Sequence, residues 1–198
     1  MVIKNPDKYQ KGRTIVYFIR HGDRKFIPGM KKPGDEVPDS GLSALGKKQA
    51  KAVAKEFAGL KDEIDVFISS NMRRALETAE EVGKAIKKKP KIYKELSEHN
   101  KIVWDRKFHK LGFWKHYFKH KLTLKTFDKI LEQNKGKVIV IVAHGNVIKG
   151  ILGKKLGMSL KQIGLLGYDN CHISLARFIG KKLDYVPYIN SKVRTKKY

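Results

Sequence analysis

One segment constrains the fold more than any other. Val138 to Val142 (VIVIV) is an uninterrupted run of β-branched apolar residues. It is far too short to span a membrane. Apolar character without polar alternation describes a strand buried on both faces, as in a parallel sheet covered by helices on either side. The run ends at Ala143-His144-Gly145. A second run, Thr14 to Ile19 (TIVYFI), is also β-branched and aromatic, and stops in the same way at Arg20-His21-Gly22. Ligands of open α/β sheets lie beyond the carboxyl ends of strands, so one sheet edge would receive both histidines. Taken singly, each His-Gly pair is equally compatible with a histidine that merely closes a strand.

The remaining patterns fill in around these two strands. Ala50, Val53, Ala54 and Phe57 share one helical face, with Leu42 and Leu45 leading in. Ile64 to Ile68 reads as a strand. Ser69, Ser70 and Asn71 are N-cap candidates for a helix with Met72, Ala75, Ala79, Val82 and Ile86 on one stripe. That helix should stop at Lys87–Lys89, before Pro90. Lys91–Tyr93 suggests a short strand, and Leu124, Phe127, Ile130 and Leu131 a helix. Val147, Ile148, Ile151 and Leu152 suggest another helix, and His172 to Phe178 a late strand. Strands alternating with helices predict the α/β class, as a three-layer α/β/α sandwich with a mostly parallel central sheet. With no repeat or linker, the 198 residues suit a single domain, 1–198. Residues 23–41 are punctuated by proline and glycine and read as a long functional loop. Residues 99–121 are basic and aromatic and read as a lid insertion. The tail from Ser191 is basic.

Charge bears on partners. Lys+Arg is 44 against Asp+Glu 19, a net charge of +25. That favours anionic partners: phosphorylated metabolites, nucleic acid, acidic proteins or an anionic membrane surface. A solvated lysine coat accounts for the same number equally well. Arginine is scarce, 8 residues against 36 lysines, yet Arg20, Arg24, Arg73 and Arg74 fall in two short segments. A rigid planar fork suits bidentate phosphate binding. Hydrophobic residues at 41% exclude a disordered composition. The polar start, Met1 to Arg13, has no apolar stretch of the secretory type. A lone cysteine, Cys171, cannot form an internal disulfide, so a cytoplasmic location is the expectation. His99, His109, His116 and His120 fit no standard metal spacing, and no metal or other cofactor is expected. The aromatic and basic residues of 95–121 could stack on nucleobases. The favoured reading is an amphipathic helix docking its aromatics on the core.

Four motifs carry a family likeness. They are Arg20-His21-Gly22 after the first strand; Gly41-Leu42-Ser43-Ala44-Leu45-Gly46-Lys47-Lys48-Gln49-Ala50; Ser69-Ser70-Asn71-Met72-Arg73-Arg74-Ala75-Leu76-Glu77-Thr78-Ala79; and Ala143-His144-Gly145. In this order they resemble the histidine phosphatase superfamily, which also contains the cofactor-dependent phosphoglycerate mutases. The likeness covers residues 14–178. It implies that His21 is a nucleophile forming a phosphohistidine, that Arg20 and Arg74 hold phosphoryl oxygens, and that His144 donates to the transferring group. It implies a general acid in mid-chain; Leu96-Ser97-Glu98 selects Glu98, with Glu95 and Asp105 as competitors. Gly22 would allow close backbone approach. Arg24 would be a further phosphate contact or a simple partner of Asp23, and Arg73 a rim residue. The chemistry splits one difficult displacement into two, with cations placed where charge spreads in the transition state, and needs no metal.

Within the family, mutases place an asparagine shortly after the first His-Gly. Here Arg24-Lys25-Phe26-Ile27-Pro28 follows instead, and Asp23 replaces the usual glutamate or glutamine. The expectation is therefore a metal-independent phosphomonoester hydrolase. The alternatives are mutase-type phosphoryl transfer and a non-catalytic phosphate- or nucleic-acid-binding module. The substrate is expected to be a phosphorylated small molecule or a phosphoprotein, with no membrane partner. Oligomeric state stays open.

Overall fold

The computed structural model describes residues 12–26, 39–98 and 112–192 (of 112–117, the backbone). In chain order the elements are β1 (Arg13–Arg20), α1 (Ala44–Ala58), β2 (Val66–Ser70), α2 (Arg73–Ile86), β3 (Lys91–Tyr93), α3 (Gly112–Gln133), β4 (Val138–Ala143), α4 (Gly145–Lys155), α5 (Leu160–Leu165), β5 (Ile173–Ile179) and β6 (Lys182–Ser191). A 3-10 turn, Lys94–Leu96, follows β3.

The sheet order is β3-β2-β4-β1-β5-β6. The first four are mutually parallel; β5 is antiparallel to β1, and β6 is antiparallel to β5. The mostly parallel sheet expected from the apolar runs is present. Successive residues of β1 enter opposite cores. Ile15, Tyr17 and Ile19 pack with Val53, Phe57, Ala79 and Val82 of α1 and α2. Val16 and Phe18 pack with Phe127, Ile130, Val147 and Ile151 of α3 and α4. Both faces are covered, which makes the α/β/α sandwich and explains why β1 and β4 lack polar alternation.

Local chemistry sets the helix ends. Ser43 caps α1, its Oγ accepting from Gly46 N at 3.0 Å. The start of α2 departs from expectation. Its N-cap is Met72, which has no side-chain cap, while the Asp39 carboxylate accepts from Arg73 N at 2.6 Å. Ser70 lies two residues before the N-cap and is turned to other use. At the other end Lys87 adopts φ 55°, and Lys88 N closes onto Gly83 O, so the lysine-and-proline stop works as read.

Boundaries shift elsewhere. β2 starts at Val66 rather than Ile64, because Asp65 accepts from Val138 N through its carboxylate, at 2.8 Å. The helix around Phe127 begins as early as Gly112, so the end of the expected lid, 112–121, is the first part of α3. Residues 99–111 of that lid, and 27–38 of the proline-glycine loop, lie outside the described residues. Two elements had no sequence-based expectation: α5, opened by a Ser159–Gln162 capping box, and the edge strand β6. β6 contains Pro187, which an edge strand tolerates and a central one does not. Among the described residues no helix is long and apolar enough to cross a membrane.

Candidate active site

The two histidines meet because β1 and β4 are neighbours in register. Arg20 pairs with Ala143, so the next residue of each strand leaves the sheet at the same point. His21 N then donates to Ala143 O at 3.0 Å. The His21 main-chain oxygen accepts from Asn170 Nδ2 at 2.9 Å. The ring centroids of His21 and His144 lie 5.0 Å apart, and both rings are buried.

His21 is held as one tautomer. Its Nδ1 lies 2.7 Å from Gly22 O. A carbonyl only accepts, so the proton is on Nδ1 and Nε2 keeps its lone pair. Arg74 Nε donates to that nitrogen at 3.1 Å. Burial above all, and then the Arg74 guanidinium, push the His21 pKa down to about 3, against the opposing pull of the Gly22 carbonyl. His21 is therefore neutral near pH 7 despite its cationic neighbours. Gly22 is required sterically: a Cβ there would lie 2.6 Å from Gly46 O. Its N–H donates to Thr78 Oγ1 at 3.0 Å, and Thr78 Oγ1 in turn donates to Arg74 O at 2.8 Å.

His144 closes β4 and precedes α4. Its Nε2 lies 2.8 Å from Ser70 Oγ, and its Nδ1 lies 3.8 Å from Glu98 Oε2. Glu98 follows the 3-10 turn. Its side chain is only 10% exposed, its N–H donates to Met72 Sδ, and its carbonyl accepts from Lys119 Nζ of α3. Nitrogen atoms of His21 and His144 and an oxygen of Glu98 all lie within 4.8 Å of one another. Geometry alone would let these three reach a common cation. Arg74 Nε–H already faces His21 Nε2, however, and the surrounding guanidinium charge favours an anion.

Arg74, in the first turn of α2, is 1% exposed and is the largest fully buried side chain described. Burial lowers its pKa, and Glu98 opposes that. A buried guanidinium is costly unless it meets compensating charge; a bound dianion would supply it. Arg20 donates through Nη1 to Tyr168 O, and its buried Nε has no hydrogen-bond partner among the described residues. Arg24 pairs with Leu42 across a single bridge, and its charge lowers the pKa of both His21 and Arg74. The Asp23 carboxylate accepts from Ser43 Oγ at 2.5 Å. Arg73 is 69% exposed beside Glu77, a rim position as expected. Of the competitors to Glu98, Glu95 uses its carbonyl to accept from Thr123 Oγ1 at 2.7 Å, and Asp105 lies outside the described residues. His99 and His109 also lie outside them. His120 is buried against Gly150 of α4 and is not one of the three groups that converge.

The structure thus brings together His21, His144, Glu98, Arg20, Arg74 and Gly22, with Arg24 near enough to act electrostatically. The sequence had offered Ser70 only as a helix cap, and had marked no site role for Thr78 or Gln49. One signal was available. Thr78 and Gln49 are polar residues next to the apolar stripes of their helices, and Thr78 is fully buried, where a polar atom needs a partner.

The family model described as histidine phosphatase superfamily (branch 1) matches residues 16–112 and 121–190. A protein of Hydrogenobacter thermophilus provisionally named phosphoserine phosphatase 2 is 28% identical over 202 residues, covering 91% of this chain and 97% of its own. Phosphoserine phosphatase from Entamoeba histolytica, solved with 3-phosphoglyceric acid, superimposes with TM-score 0.68 at 22% identity, over 90% of this chain and 98% of that one. A mycobacterial glucosyl-3-phosphoglycerate phosphatase superimposes with TM-score 0.70 at 19% identity, over 91% of this chain and 100% of that one. The motifs at both strand ends, the sandwich that joins them and the match along most of the sequence place this chain in the histidine phosphatase superfamily, branch 1.

Proposed function

We propose that the chain is a metal-independent phosphomonoester hydrolase that works through a phosphohistidine on His21. One observation carries the reading: the Nδ1–Gly22 carbonyl bond leaves Nε2 unprotonated in a buried, cationic pocket. A phosphomonoester dianion binds between the Arg20 and Arg74 guanidinium groups, with Arg24 adding positive potential and His144 donating to a phosphoryl oxygen. His21 Nε2 attacks phosphorus. The phosphorus–oxygen ester bond breaks, its electron pair goes to the leaving oxygen, and Glu98 supplies the proton. Water then gives its proton to Glu98 and attacks the phosphohistidine. Phosphate leaves and His21 is restored. The cations stay fixed while charge spreads over the equatorial oxygens, which is where preorganised electrostatics act.

The substrate in this reading is a small phosphorylated molecule that also carries a carboxylate. The relatives named for phosphoserine and for a phosphoglycerate derivative support this. The whole chain is read as one cytoplasmic catalytic domain, with nucleic-acid binding not favoured. The test is hydrolysis of an aryl phosphate, phosphoserine and 3-phosphoglycerate in the presence of EDTA, by the wild type and His21→Ala. The expected result is turnover that survives EDTA and is lost in the variant. Equal activity in both proteins would reject the nucleophile. Loss of wild-type activity in EDTA would reject a metal-free mechanism.

A further inference from the structure

We infer that Gln49 of α1 is a positioning residue for His21, acting through the peptide group that joins Gly22 to Asp23. This rests on the reading of His21 as the nucleophile. One end of that peptide group, Gly22 C=O, accepts from His21 Nδ1 at 2.7 Å. The other end, Asp23 N–H, donates to Gln49 Oε1 at 2.7 Å. The three groups form one line: the Gln49 amide oxygen, the peptide and the imidazole. A hydrogen bond at the N–H end polarises the peptide and strengthens its carbonyl as an acceptor. Because the donor is a backbone N–H, it is the amide oxygen of Gln49 that must face it.

The same helix fixes what lies next to this peptide. Ser43 N donates to Asp23 O at 3.0 Å, and Ser43 Oγ donates to the Asp23 carboxylate. A Cβ on Gly46 would lie 1.9 Å from Asp23 O, so the helix backbone runs hard against the residue. On the strand side, Thr78 Oγ1 accepts from Gly22 N. The peptides on either side of the 22–23 unit are thus tied by Thr78 and Ser43, and the rotation of the unit itself is tied by Gln49.

Without an acceptor at position 49, Asp23 N–H is left unsatisfied in a half-buried place. The peptide is then free to rotate its carbonyl away from His21. Nδ1 loses its acceptor, and the proton can move to Nε2. That nitrogen would present an N–H to Arg74 Nε–H and would have no lone pair to attack with. Gln49 touches neither substrate nor the reacting atoms, and its effect passes wholly through the tautomer.

Two substitutions separate hydrogen bonding from space filling. Gln49→Met keeps length and removes the acceptor; Gln49→Glu keeps an acceptor. The readouts are the ¹⁵N NMR signals of the His21 ring and the rapid-quench rate of phosphoenzyme formation, with KM measured alongside. In the wild type His21 should appear as the Nδ1–H tautomer. In Gln49→Met the Nε2–H form should grow, and phosphoenzyme formation should fall about tenfold or more, the scale seen when the partner that orients a metal-bound histidine is removed. KM should stay within about twofold on that scale, and Gln49→Glu should keep the wild-type tautomer and most of the rate. Unchanged tautomer and rate in Gln49→Met would overturn the inference. So would a Gln49→Glu protein as impaired as Gln49→Met, since the side chain would then only fill space. If Gln49→Met does not fold, Gln49→Lys, which only donates, gives the same comparison with Gln49→Glu. The tautomer measurement stands apart from catalysis: turnover persisting in His21→Ala would count against the nucleophile, whereas an unmoved tautomer counts against Gln49.

Discussion

A buried neutral histidine makes stability depend on pH, and His21 lets that dependence be worked out. It is 2% exposed, and its pKa is pushed down to about 3; in the unfolded chain it would be about 6.5. As pH falls through 6.5 the unfolded chain takes up a proton at this site and the folded protein does not. Between the two values the unfolded state binds more protons, so stability rises with pH there, by about 1.4 kcal/mol per unit. The contribution is fully present above pH 6.5, is lost progressively below it, and is exhausted near pH 3. His21→Asn keeps a polar side chain of similar size and removes the titration. Urea unfolding of both proteins, without added phosphate, gives the comparison. From pH 7 to pH 4.5 the wild type should lose about 2.5 kcal/mol more than the variant. His120 is also buried, with its pKa lowered to about 4; it has the same sign but is common to both proteins and cancels. Stability curves that stay parallel over this range would refute the argument, because His21 would then bind its proton as readily folded as unfolded.

Two further outcomes follow from the site and its scaffold. Glu98→Gln should lower kcat/KM on an alkyl phosphate such as phosphoserine by about 10²–10⁴, the usual worth of a general acid. An aryl phosphate, whose leaving group needs no proton, should be affected much less; equal losses would reject the acid role. Gly46→Ala forces a methyl group to within 1.9 Å of Asp23 O, and should cost about 1–3 kcal/mol or more in denaturant unfolding together with activity. Gly59→Ala, whose Cβ meets nothing within 4 Å at an ordinary helical φ of −72°, should be neutral or stabilising by under about 1 kcal/mol. Similar effects at the two positions would contradict the close approach of α1 to the His21 loop.

The sheet was legible where burial imposes a pattern. β4 extends the run Val138–Val142 by one residue, and β1 extends Thr14–Ile19 by one residue at each end. The stripes of α1 and α2 survive for the same reason. Two features were not legible. The carboxylate at the start of α2 belongs to Asp39, not to the adjacent Ser69–Asn71. β6 alternates only weakly, with Leu183, Val186 and Ile189 half-packed on one core and Pro187 between them. The convergence of His21 and His144 depends on β1 and β4 being neighbours, which the shared ending of the two runs suggested and the register fixes. The motif likeness pointed to Glu98, and the fold brings it to His144. It did not point to the polar residues that hold the histidines: Ser70 at His144, and Thr78 and Gln49 around Gly22. Their work is to hold backbone and ring orientation, and no residue pattern expresses that until the peptide groups they contact are in place.

The central claim is that the phosphoryl group passes through His21. Rapid acid-free quenching of the enzyme during turnover of ³²P-labelled phosphomonoester, followed by peptide mass spectrometry, tests it most directly. The account expects an acid-labile, alkali-stable phosphate on the peptide containing His21, formed and lost at rates compatible with turnover and absent in His21→Ala. Label on another residue, or full turnover by His21→Ala with no label at position 21, would contradict it.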